Sequence, residues 1–271
     1  MDTARRGLCV AGALALAGCA AAPDPRNATA GATPATIAEL GGTGKLRAAI
    51  NFGNPILANR NANGEAYGVS VDLAREAARR LGLPAELVLF NSAGNVVDAI
   101  KAKQVDLAFV AIDPVRAADM DYTSPYVIIE GAYLVRNASA LQRNDDVDKP
   151  GTRVAVGRGS AYDLFLTREL KSATLVHAPT SPAVTDLFIA QNLEVAAGVK
   201  QQLQGDAKRV GGVRLLPGRF MVIEQAMGVP KGRLAAQAWL SGFIEEMKAS
   251  GFVADALKRH GIEGAAVAQR A

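Results

Sequence analysis

Val105-Asp106-Leu107-Ala108-Phe109-Val110-Ala111-Ile112, followed by Asp113-Pro114-Val115-Arg116, decides how this chain folds. A nearly unbroken apolar run of this length reads as a strand buried on both faces, the pattern of a parallel sheet covered by helices. It stops at an Asp-Pro pair, which suits an aspartate N-cap with proline at the first helical position. Arg116 then places a permanent, forked cation where a strand gives way to a helix, one way of building a carboxylate receptor. The alternatives for Arg116 are a solvated helix residue or an internal ion pair.

Working outward, strand and helix patterns alternate. Residues 46–52 read as a strand, and Asn59, Asn61, Asn63 and Gly64 mark an exposed turn. Leu73, Ala77, Ala78 and Leu81 recur at helical spacing before Gly82 and Pro84 stop the segment. Residues 86–90 form the next strand, and Val96, Val97 and Ile100 lie on a short helix. Downstream, Asp121-Tyr122-Thr123-Ser124-Pro125-Tyr126 follows the arginine directly. The second half repeats the alternation, with strands expected at 153–156, 175–177 and 195–197 and helices at 162–170 and 183–191. A strand at 227–229 returns to the first half, and two helices broken at Ser250 and Gly251 fill residues 233–260. The simplest layout is an α/β chain of two lobes with two crossings between them. A ligand cleft then lies between the lobes, where open sheets present the carboxyl ends of their strands.

The chain has 271 residues, 49% of them hydrophobic, enough to bury one large core or two modest ones. Its net charge of +4 is spread without a Lys/Arg block, and aromatics are only 5%, so there is neither a phosphate-tracking stripe nor a base-stacking platform. Nucleic-acid binding is not expected.

The N-terminus reads as targeting. Arg5 and Arg6 precede an apolar run over residues 8–17 that is too short to span a bilayer, so residues 1–18 are expected to be a signal peptide. The run ends Leu16-Ala17-Gly18-Cys19, which resembles a bacterial lipobox and predicts lipidation at Cys19. Ordinary cleavage beside a small buried cysteine is the alternative. Loss of Cys9 with the signal leaves one cysteine and no internal disulfide. Residues 19–42, rich in Ala, Pro and Thr, are expected to be a flexible tether.

The order of these elements resembles the family 3 extracellular solute-binding proteins of ABC importers. The likeness rests on residues 68–82, 106–116 and 121–126, on Gly159 with Ser160, and on residues 228–232. It implies an α/β two-lobe Venus-flytrap of the type II periplasmic binding protein kind, with two interlobe crossings. Lobe 1 would comprise residues 43–135 plus 225–264 and lobe 2 residues 136–224, with a tail at 265–271. It also implies lobe closure on a solute and delivery to an ABC permease.

Carried across by position, the resemblance places the carboxylate-gripping arginine at Arg116. It places assisting main-chain amides at Ala111 and at Ala161, beside Ser160 at a helix start, where unpaired amides suit an anion. Elsewhere the chain departs from the family pattern. The aspartate that usually holds the ligand ammonium falls on Val199, with Lys200 next. The sandwiching aromatics fall on Asn54 and Ala93, the glycine two before Ala111 is Phe109, and the acidic residue after Gly68 is Ser70. An enclosed ammonium with no carboxylate partner costs several kcal/mol, whereas a carboxylate beside Arg116, Arg158 or Lys200 is compensated. The expected ligand is therefore a small anionic or zwitterionic solute, with a hydroxy, keto or dicarboxylic acid favoured over a plain amino acid.

Other readings stay open. Asp113 suits a helix cap better than a ligand group, Arg158 can equally point to solvent, and Lys200 reads as surface. Tyr122, Tyr126 and Trp239 read as packing aromatics. His177 and His260 stand in no catalytic or metal-binding pattern, and no cofactor or metal is expected. The fold also serves secreted cyclohexadienyl dehydratases, for which Glu194 or Glu224 would have to act as the acid, and ligand sensors that dock on membrane receptors. The expectation is a monomeric, extracytoplasmic binding protein, anchored by lipid.

Overall fold

The structure, a computed structural model, describes residues 31–271; the expected signal peptide and the lipidation site Cys19 lie outside the described residues. In chain order the elements begin α1 (Pro34–Gly41), β1 (Leu46–Asn51), β2 (Asn59–Arg60), β3 (Ala66–Tyr67), α2 (Val69–Leu81), β4 (Ala85–Phe90), α3 (Ala93–Lys101) and β5 (Leu107–Ala111). A long β6 (Met120–Arg136) leads to β7 (Arg153–Gly157), α4 (Ala161–Glu169), β8 (Thr174–Ala178), α5 (Val184–Ala190), β9 (Val195–Val199), α6 (Lys200–Val210) and β10 (Val213–Leu215). The chain returns through β11 (Met221–Pro230), α7 (Leu234–Ala249), α8 (Phe252–Arg259) and β12 (Ala266–Val267).

The strands join in the order β4-β1-β5-β11-β6-β9-β7-β8, a mixed sheet shared by two lobes. In the first lobe β5 runs parallel to β1, with Ala48 opposite Leu107, and antiparallel to β11, with Gln225 opposite Ala111. In the second, β9 lies between parallel β7 and antiparallel β6. All five residues of β5 and all five of β9 are buried, as continuous apolar runs predict. β6 and β11 pair along most of their length and carry the two crossings. Gly131 of β6 faces Met221 of β11 and also Val199 of β9, so the lobes meet there.

Helices cover both faces. Ala77, Ala78 and Leu81 of α2 bury against the β1 side, while Val96 and Ile100 of α3 join Ala49, Ala108 and Val110 on the opposite face. In the second lobe Val184 and Phe188 of α5 and Leu203 of α6 pack on Ala155 and Ala196. Each such large side chain removed from water contributes roughly 1.5–3 kcal/mol.

Three segments differ from the sequence reading. Residues 34–41, assigned to the tether, form α1: Thr33 caps it by accepting from Thr36 N at 3.1 Å, and Leu40 is fully buried. Arg233 donates to the Glu39 carbonyl, and Ala236 N donates to Glu39 Oε2 at 2.7 Å, fixing the helix to the start of α7. Residues 266–267, assigned to the tail, pair with Ile128 and Val127 of β6. The buried Lys248 ammonium holds this segment by donating to Gln269 O at 2.8 Å. Residues 120–136 form one continuous strand, so the expected lobe boundaries at 135/136 and 224/225 fall inside β6 and β11.

Candidate functional site

The last residues of three strands, Asn51 of β1, Ala111 of β5 and Val199 of β9, meet the first residues of two helices, Ala93 of α3 and Ala161 of α4, around one cavity between the lobes. This is where an α/β sheet exposes the polar ends of its elements. The cavity holds about 340 Å³ of atom-free space, part of it open to solvent. The lobes are closed upon it. Gly159 carries a φ of +69°, and a Cβ there would lie 3.1 Å from Gly94 Cα in the facing lobe. Only glycine combines that left-handed backbone with so close an approach.

Arg116 begins a short 3₁₀ turn after β5 and is 2% exposed. Its Nη1 donates to Ala111 O at 2.8 Å, and its Nη2 reaches across the cleft to Gly159 O at 2.9 Å. Nε is buried with no hydrogen-bond partner among the described residues. Burial lowers the guanidinium pKa, partly offset by the nearby Tyr122 and Asp113. The group nevertheless stays cationic. Two neutral carbonyls and no bonded carboxylate leave a dehydrated cation under-compensated, so an anion is the group that would complete it.

Two helix starts reinforce that charge. Ser92 caps α3 by accepting from Asn95 N at 3.2 Å, and Ser160 caps α4 by accepting from Asp163 N at 3.0 Å. The remaining first-turn amides and the positive ends of both helices face the same space. Ile112 N donates to Glu224 O at 2.9 Å. By the alternation of antiparallel pairs, the Ala111 amide is turned away from β11. It also lies past Ala108, the last β5 residue paired with β1.

The remaining lining is neutral. Asn54 and Tyr162 are 8% and 2% exposed. Asn54 Oδ1 lacks a hydrogen-bond partner among the described residues, whereas the Tyr162 hydroxyl lies against polar groups of Ser181, Ser160 and the Gly157 backbone. Burial pushes the Tyr162 hydroxyl up to about 12, so it stays protonated. Ser181, Gln225 and Ile223 complete the wall. Among the described residues no aspartate or glutamate lines the cavity, and Arg116 is its one cation.

Of the residues singled out in the sequence, Arg116, Ala111, Asn54, Ala93, Ser160, Ala161 and Val199 line this cavity together. Three do not. Phe109 is core, edge-on to Tyr126 with ring centroids 6.2 Å apart: it shares a face with Ala111 but lies two residues back from the strand end, where that face is covered by the core. Asp113 accepts from Val115 N at 2.8 Å and pairs with Arg168 of α4 at 2.9 Å, a cap and an interlobe ion pair. Arg158 is exposed on the loop before α4. Lys200 pairs with Glu130 at 2.7 Å, and Ser70 is a core residue 3.2 Å from the Tyr126 hydroxyl.

Neither carboxylate weighed for acid catalysis reaches the cavity. Glu194 is paired with Arg153 at 2.8 Å and held below the usual carboxylate range by that arginine, and Glu224 is exposed on β11. His177 pairs with Asp163 and His260 with Asp72. Among the described residues no cluster of His, Cys, Asp or Glu could hold a metal, and no helix is long and apolar enough to cross a membrane. Sequence reasoning missed Tyr162, Ser181, Gln225 and Asn51. The Ser181-Pro182 pair after β8 repeats the Asp-Pro signal that led to Arg116, whereas Gln225 has no signal of its own.

The sequence model of a family described as bacterial extracellular solute-binding proteins, family 3, matches residues 46–262. No curated protein matches the chain by sequence. Among solved structures, the solute receptor for L-cysteine of Neisseria gonorrhoeae superposes with a TM-score of 0.73 at 20% identity, over 85% of this chain and 94% of that one. A mutant of ArgBP from T. maritima gives 0.72 at 19%, over 84% and 100%. An ancestral amino-acid-binding protein, a precursor of cyclohexadienyl dehydratase, gives 0.71 at 20%, over 83% and 98%. At these identities the likeness establishes the two-lobe fold.

Proposed function

Because the chain belongs to the bacterial extracellular solute-binding proteins of family 3, we propose that it captures a small carboxylate-bearing solute outside the cytoplasm, by lobe closure, and hands it to an ABC permease. Cys19 would anchor it to the membrane through lipid, and it would work as a monomer. The observation that carries this reading is the buried Arg116 guanidinium, which bridges both lobes and faces a cavity without a single carboxylate. A bound carboxylate would accept from Arg116 and from the amides of Ala111 and Ala161. Because Arg116 and Ala111 belong to one lobe and Ala161 to the other, such a ligand favours the closed arrangement over the open one.

A dehydratase needs an acid in the cleft, and Glu194 and Glu224 lie elsewhere, so binding is the reading the site supports best. Calorimetric titration of the purified chain with small carboxylic acids at pH 7 tests it. A saturable isotherm that Arg116→Ala weakens at least 100-fold is expected, with Arg116→Ala still folded by circular dichroism. Binding that ignores the arginine would overturn it.

A further inference from the structure

Three features of the cavity bear on which acid it holds. The first is charge: one buried guanidinium and two helix N-termini face the space, and among the described residues no aspartate or glutamate lines it, Asp113 and Asp163 acting only from behind the wall. A ligand ammonium enclosed here would lose its hydration and meet no carboxylate in the lining. The second is size, since a cleft of about 340 Å³, part of it open to solvent, suits a small solute. The third is an unsatisfied polar atom. Asn54 Oδ1 is an acceptor with nothing to accept, on a side chain more than nine-tenths buried. A native site rarely leaves such an atom unmet in the state that matters for function.

We propose, on the strength of the binding reading above, that the solute is a small 2-hydroxy monocarboxylic acid. Its carboxylate sits on Arg116, and its hydroxyl donates to Asn54 Oδ1. A hydroxyl supplies that donor without charge, which matches the unmet acceptor. An ammonium supplies donors only and brings a charge the cavity cannot balance. A second carboxylate has no second cation, because Arg158 is outside the cavity and Lys200 is paired to Glu130. Asn54 is then a specificity residue, since it distinguishes acids by the group beside the carboxylate.

Titrating the full purified chain with lactate, alanine and propionate, which differ only in that group, decides the matter. Lactate is expected to bind at least tenfold tighter than either of the others. Asn54→Ala is expected to bring lactate down towards propionate. Alanine binding as tightly as lactate, and still dependent on Arg116, would overturn the hydroxy-acid inference while leaving the carboxylate reading standing. So would propionate binding as tightly as lactate. Failure of all three acids, together with glycolate and glycine, up to millimolar concentration would overturn both readings.

Discussion

Arg116 of the first lobe donates to the carbonyl of Gly159 in the second at 2.9 Å, so the side chain that would hold a ligand also holds the lobes together. The contact exists because two glycine backbones touch: Gly159 lies at φ +69°, with Gly94 opposite. Gly159→Ala would impose about 1–2 kcal/mol of left-handed backbone strain in either lobe arrangement. Its Cβ would press on Gly94 only when the lobes close. We expect a modest fall in melting temperature together with an affinity loss of about tenfold, and a larger radius of gyration by X-ray scattering in the presence of ligand. An unchanged affinity would show that Gly94 and Gly159 do not limit closure.

The second interlobe contact is the ion pair of Asp113 with Arg168, at 2.9 Å. Asp113 is buried and Arg168 about a third exposed, so solvent screens the pair and its worth is about 1 kcal/mol. Arg168→Gln should weaken ligand binding about fivefold, chiefly through faster dissociation, and flatten the dependence of affinity on salt. Stopped-flow displacement at low and high ionic strength measures both effects. Equal dissociation rates in the two proteins at low salt would show that the pair is surface decoration.

The fold was legible where burial was continuous. Strand β5, its Asp-Pro stop and the arginine beyond it follow from apolar runs and cap chemistry, and so do β9 and helix α2. Helix α1 was not legible, because its docking rests on Leu40, a caped first turn at Thr33 and contacts from residues almost 200 positions away. The length of β6 was hidden for a related reason: Pro125 sits inside it, at a register shift against β11 that spares the missing N–H. Within the site, residues next to a strand end or helix start were findable. Gln225 and Ile223 were not, because they enter the cavity from a crossing strand whose pairing is set by tertiary contacts. Asp113 and Phe109 show the converse, sequence neighbours of the site that the turn and the depth along β5 place elsewhere.

Stability should carry a pH signature from Asp106. Desolvation alone would raise its carboxyl, but hydrogen bonds from Arg47 and Arg233 outweigh that and hold it below the ordinary carboxylate range. A depressed native pKa contributes stability that is fully present above the unfolded value near 4 and is lost as pH falls through the folded one. Asp106→Asn would leave two arginines facing each other and cost about 2 kcal/mol at pH 7, roughly 4–8 °C in melting temperature for a domain this size. The gap between variant and parent should narrow steadily below pH 4 in thermal scans. A gap independent of pH would mean the arginines contribute nothing through charge.

Val199 offers a test by gain of function. It ends β9, is 5% exposed and lines the cavity at the position where related proteins are expected to place an aspartate. Val199→Asp would supply the carboxylate that an enclosed ammonium lacks, and would place a like charge near a bound acid that has none. Alanine should then gain at least tenfold in affinity, about 1.4 kcal/mol, while lactate loses a similar factor. In the absence of an amino acid the variant should melt at a lower temperature than the parent, because it exchanges a buried apolar side chain for a desolvated carboxylate. Added alanine should recover part of that loss by mass action. If the variant is folded and alanine neither binds more tightly nor raises its melting temperature, then Val199 does not stand where an ammonium would lie.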